Sequence, residues 1–140
     1  RERVIDAINA TKAAAEEGIV AGGEIALLKV ANDLQRLLRA SRTAPITLGQ
    51  DILFEAMKSP FKHLIENSGM DYAEVREKMS GHVYPEGIDV IDGQVKNLIE
   101  AGIIDPAKVV RSALENAVSI ACMVCTTSTL ITTIDNKPSD

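Results

Sequence analysis

The chain has no tryptophan, and aromatic residues fill only 3% of its 140 positions. A core without aromatic bulk must be built from Ala, Val, Ile, Leu and Met, which suits packed helices better than a β-sandwich. Blocks of Lys or Arg are also missing, and the formal net charge is -5. This argues against a nucleic-acid partner, because tracking a phosphate backbone needs clustered cations. No uninterrupted apolar run reaches the roughly 18 to 20 residues of a membrane span, and Arg1-Glu2-Arg3 opens a helical pattern rather than a signal-peptide apolar region. No membrane partner is expected, and the location expected is cytoplasmic or an organelle matrix. Cysteine occurs only twice, at Cys122 and Cys125, on one face of an apolar helical stretch. Without a second ligand pair the spacing makes no zinc site, so both are read as buried structural thiols, compatible with a reducing compartment. His63 and His82 are isolated and read as structural or surface residues, and no metal ligand is assigned.

What is present is ordinary for a folded domain: 46% hydrophobic and 25% charged residues over a length that can enclose a core. The fold class expected is mainly α, a multihelical bundle with a C-terminal β-strand. Residues 2–17 are rich in Ala, Glu, Lys and Arg and end at Gly18, a helix with its natural stop. Residues 24–38 place Ile25, Leu28, Ala31, Leu34 or Gln35, and Leu38 at three- and four-residue steps, a second helix. The stretch 39–47, with Pro45, is a connection. One helix is expected from Thr47 or Gly49 to Lys58, another from Pro60 to Asn67, and a short one over 71–79. Residues 80–90 hold Gly81, Pro85 and Gly87 and read as a loop or small hairpin, followed by a short helix over 92–101 stopped by Gly102. A long helix after Asp105-Pro106, apolar around much of its circumference, belongs at the centre of a bundle. The β-branched run 126–134 reads as a strand, which needs a pairing partner to satisfy its edges.

Two places suggest chemistry. Gly22-Gly23 at a helix start suits an anion, since free N–H groups and the positive end of the helix dipole point there. An ordinary helix-helix turn explains the same glycines. Asp105 suits the N-cap of the long helix, with Pro106 at its first position. Asp89 fits a loop or cap acid and Asp6 a solvated surface acid.

The segments EEGIVAGG at 16–23 and GIIDPAKVVRSAL at 102–114 together resemble the C-terminal part of a type I chaperonin subunit, the GroEL-type heat-shock family. The resemblance implies that residues 1–18 end an intermediate domain and 19–140 form the C-terminal half of an equatorial ATP-binding domain, carrying part of the ATP site and ring-contact surface. It implies ATP with Mg2+ as cofactor, most metal ligands lying in the other half of the domain. The glycine turn at Gly22 and Gly23 would line the nucleotide pocket, Asp105 would contact the ribose, and Ile103 the nucleotide. Gly87-Ile88-Asp89-Val90 is similar to the family's adenine-side segment, which makes Asp89 and Val90 binding candidates, although Ile88 and Val90 depart from its usual residues. Arg3-Val4-Ile5-Asp6-Ala7 is similar to the segment whose aspartate activates the attacking water, which makes Asp6 the catalytic candidate. Glu24 stands where the family usually has a third glycine. The implied partners are unfolded client proteins, a co-chaperonin and copies of the subunit in a heptameric ring. The start in helical register without methionine fits a piece of a longer subunit, expected to be inactive alone as an ATPase. The alternative is a helical assembly module that has lost ATP chemistry, with Glu24 and the altered 87–90 segment as its marks.

Overall fold

A computed structural model describes residues 2–40 and 47–132. Five helices dominate: α1 (Glu2–Glu17), α2 (Ile25–Ala40), α3 (Leu48–Asn67), α4 (Tyr72–Lys78) and α5 (Ala107–Thr126). Four short strands lie among them: β1 (Ile19–Ala21), β2 (Glu86–Asp89), β3 (Gln94–Asn97) and β4 (Ile104–Pro106). The chain divides into two compact units, Arg1–Val110 and Arg111–Asp140.

In the first unit, α1 ends at Gly18, whose φ of 81° is the left-handed conformation that closes a helix without steric cost. The core forms where Ile25 of α2, Phe61 and Ile65 of α3, and Val75 of α4 meet Ala21, Ile88 and Leu98. Each large side chain buried there contributes about 1.5–3 kcal/mol of transfer free energy. Phe61 and Tyr72 meet edge to face, with centroids 6.2 Å apart.

α3 is one helix where two were expected, with Pro60 inside it. Phe54, Met57, Phe61 and Ile65 form a single buried stripe running past the proline, so burial outweighs the hydrogen bond that Pro60 cannot donate. Its start is fixed by a capping box in which Thr47 and Gln50 satisfy each other's backbone N–H. Residues 92–101 do not form the expected helix; they contain β3, antiparallel to β2, with Ile88 opposite Val95. Side chains divert this backbone from helical bonding: Asp89 Oδ1 accepts from Ile91 N, Asp92 Oδ1 from Gln94 N, and Asn97 Oδ1 from Ile99 N and Glu100 N. Asp105 is not an N-cap. It lies in β4, opposite Val20 of β1, and α5 begins only at Ala107, whose N–H donates to Gly18 O.

The second unit comprises most of α5 and the residues after it. Arg111 and Glu115 pair one turn apart along the helix, both N–O distances 2.9 Å. The expected burial of α5 is not seen: no residue of the helix is buried, and Cys122 and Cys125 are exposed. Val118, Ile120, Met123 and Val124 along it are exposed. By length and composition alone this helix is apolar enough to cross a membrane, since its few charges lie toward its N-terminal half. The described part of the expected C-terminal strand, residues 127–132, has no strand structure, and 133 and 134 lie outside the described residues. The hydroxyls of Thr126 and Thr127 instead donate to the carbonyls of Cys122 and Met123 and close the helix.

Candidate functional site

The pairing of β1 with β4 brings the two diagnostic segments together across more than eighty residues of sequence. Ala21 lies opposite Ile104, and one residue on, Gly22 N–H donates to Ile103 O at 2.9 Å. Gly22 eases this approach, because a Cβ there would stand 3.2 Å from the carbonyl carbon, the carbonyl oxygen and Cγ2 of Ile103, a tight contact that would push the two strands apart by a few tenths of an ångström. Gly23 turns the chain into α2 with φ 66°. Its missing Cβ faces Leu98 Cδ1 at 3.5 Å and Ile88 O at 4.0 Å, so the 87–90 segment meets the same turn. Gly87 is tighter still, since a Cβ would fall 2.6 Å from Leu98 Cδ1 and 2.9 Å from Ile25 Cδ1. Val90 and Ile103 are both half-buried against the core that also holds Ala21 and Leu98. Gly22, Gly23, Asp89, Val90, Ile103 and Asp105 therefore belong to one neighbourhood of the first unit.

Electrostatics divide this neighbourhood in two. At the hairpin, Lys96 Nζ reaches Asp89 Oδ2 at 2.8 Å and Asp92 Oδ2 at 2.6 Å. The hydrogen bond from Lys96 holds both carboxyls below the ordinary aspartate range, and the two aspartates hold the ammonium above its own. At the glycine turn, Glu24 has the opposite shift. Partial burial, and then the negative charge of Asp105, raise its pKa. Glu24 also carries φ 61°, a left-handed backbone that glycine adopts freely and glutamate adopts under strain.

Asp6 is exposed on α1 and is not brought to this neighbourhood. It lies up the helix from Glu17 by about 16 Å at the rise of 1.5 Å per residue. The lower end of α1 is tied by an ion pair between Glu16 and Lys108. Two contributors went unforeseen. Tyr84 Oη accepts from Ala21 N at 2.9 Å and supports the strand entering the glycine turn, and Leu98 forms the floor under Gly23 and Gly87. Leu98 had been placed on an expected helix, and the signal for Tyr84 was only its position beside Pro85 in a loop.

A separate cleft of 590 Å³ opens between α2, α3, α4 and the loop before β2, and it contains none of the residues expected at the site. No group of three or more His, Cys, Asp or Glu is arranged to hold a metal among the described residues.

A family model described as the TCP-1/cpn60 chaperonin family matches residues 1–135. The chain is also similar to a solved group III chaperonin in the open state, at 27% identity and a TM-score of 0.72. The match covers 85% of this chain and 25% of that one.

Proposed function

Since the chain belongs to the TCP-1/cpn60 chaperonin family, we propose that it carries the nucleoside-binding half of an ATP site within a chaperonin subunit that assists protein folding. The observation behind this reading is the junction of Gly22 with Ile103, which sets the glycine turn beside Asp105 on paired strands. Gly22, buried against Ile103, holds the turn in place, half-buried Gly23 offers backbone to the nucleotide, Val90 and Ile103 supply apolar contact, and Asp89 borders the adenine side. Asp105 accepts a ribose hydroxyl, a task for which a carboxylate is chemically suited.

The residues fit the sugar and base better than the phosphates. The nearby ammonium of Lys96 is engaged by Asp89 and Asp92, and Lys108 is engaged by Glu16. Glu24 beside Asp105 adds negative charge. Phosphate and Mg2+ contacts therefore fall to another part of a longer subunit, in which bound Mg-ATP supplies the phosphoanhydride for hydrolysis. Asp6 is the proposed base, its carboxylate accepting the proton of the attacking water after α1 has moved toward the nucleotide.

The type I assignment rests on the 16–23 and 102–114 segments. With it come a heptameric ring, unfolded clients, a co-chaperonin and a cytoplasmic or organelle-matrix location. Residues 1–18 would close the intermediate domain and 19–140 would belong to the equatorial domain. In a full-length subunit, Asp6→Ala is expected to abolish phosphate release while ATP still binds. Loss of ATP binding in the unmutated subunit would favour the assembly module without ATPase activity, to which the Glu24–Asp105 charge lends support.

A further inference from the structure

We propose that the cleft between α2, α3 and α4 is a second ligand site, separate from the glycine turn, for a small organic anion that joins a phosphate or similar charged head to an aromatic body. The volume of 590 Å³ lies within the range of about 300–1,000 Å³ in which small-molecule sites fall. Its charge is opposite to that of the chain. Four cations, Lys29, Lys58, Lys62 and Arg76, line it against two carboxylates, Glu55 and Glu86, although the protein carries a formal -5.

The four cations are not equally committed. Lys58, with its side chain 18% exposed, is held by Glu55 at 2.6 Å and Gln35 at 3.3 Å, so it forms a fixed positive wall. Lys29 pairs with Asp33, and Lys62 with Glu66 at 3.6 Å; both are exposed pairs that exchange readily for a better acceptor. Arg76 has no salt-bridge partner among the described residues, although its charge helps lower the Glu55 pKa behind the hydrogen bond from Lys58. A guanidinium with a free fork, flanked by ammonium groups, is suited to bidentate capture of a phosphate. Beneath these cations lies Tyr72, half-buried and held edge to face by the buried Phe61, so its ring offers an apolar wall to a ligand ring. Head and body of the ligand are thus specified by different sides of one cavity.

The proposal is tested on the 140-residue protein by following backbone amide shifts in NMR titrations with phenyl phosphate, inorganic phosphate and phenol. Phenyl phosphate is expected to saturate at one site, with shifts centred on residues 58–62 and 72–76, at least tenfold more tightly than either inorganic phosphate or phenol. Arg76→Gln and Lys62→Gln, both on exposed side chains, should each weaken binding about tenfold while the far-UV circular dichroism is unchanged. Lys12→Gln on α1 should have no effect. Non-saturating titration, equal affinity for inorganic phosphate, shifts centred on the glycine turn, or indifference to both substitutions would overturn the assignment. Because this cleft shares no proposed nucleotide contact, these results are independent of whether ATP binds at Gly22 and Gly23.

Discussion

At the scale of single residues, Glu24 is where the chain departs most from what its backbone asks for. Its φ of 61° suits glycine, so Glu24→Gly is expected to stabilise the protein by about 1 kcal/mol, measured by denaturant unfolding at pH 7. Charge adds a pH signature. Because the folded-state pKa is raised, the favourable contribution of the protonated acid is complete below about the ordinary value of 4.5 and is lost as pH rises through the folded value. Glu24→Gln should therefore stabilise more at pH 7 than at pH 4. Gly87 presents the reverse constraint. A methyl group would fall 2.6 Å from Leu98 Cδ1 and 2.9 Å from Ile25 Cδ1, two buried side chains that must both shift to admit it, so Gly87→Ala is expected to cost about 1–3 kcal/mol in thermal unfolding. The sequence marked Glu24 as unusual because a glycine was expected there. It did not show the repulsion from Asp105, since the charge of a neighbour across eighty residues is visible only after β1 and β4 have met.

At the scale of elements, the β2–β3 hairpin rests on one ammonium shared by two aspartates. Both carboxyls titrate below their ordinary value of 3.8, so their contribution is present above that pH and is lost as acid carries them through their folded-state values. Lys96 is shifted upward, so its share is present below about 10.5 and is lost above it. Lys96→Met should flatten the change of hairpin amide protection between pH 5 and pH 2, as read by hydrogen exchange; an unchanged profile would reject the shared-ammonium account. Helices with strong local signals were legible: α1 from its composition and Gly18, α2 from its periodicity, and α4 from Asp71, whose side chain accepts from Glu74 N. Elements decided by distant partners were not. Asp105 was read as a cap because Asp-Pro before an apolar run looks like a helix start, but β1 supplied a strand to pair with instead. Pro60 looked like a boundary because the buried stripe through Phe61 depends on α2 and α4 being in place.

At the scale of the whole molecule, the central feature is a small set of contacts closing a long sequence separation. The motifs at 16–23 and 102–114 were legible as belonging together, and the structure joins them through Gly22 and Ile103. The position of Asp6 relative to that site was not legible, because it depends on the direction in which α1 leaves the turn. The surroundings of α5 were misjudged for a related reason: an apolar circumference says that a helix seeks cover, without saying which chain supplies it. Val118, Ile120, Met123 and Val124 are all exposed. The 140-residue protein is accordingly expected to self-associate, and Ile120→Lys with Val124→Lys should shift sedimentation toward the monomer.

The most direct measurement is an NMR titration of this protein with adenosine, repeated with 2′,3′-dideoxyadenosine and with the Asp105→Ala variant. The account predicts weak saturable binding that shifts the amides of Gly22, Gly23, Val90 and Ile103, with loss of the ribose hydroxyls or of the Asp105 carboxylate weakening it about tenfold. Shifts confined to other residues, or equal affinity for both nucleosides, would contradict a nucleoside pocket at the glycine turn.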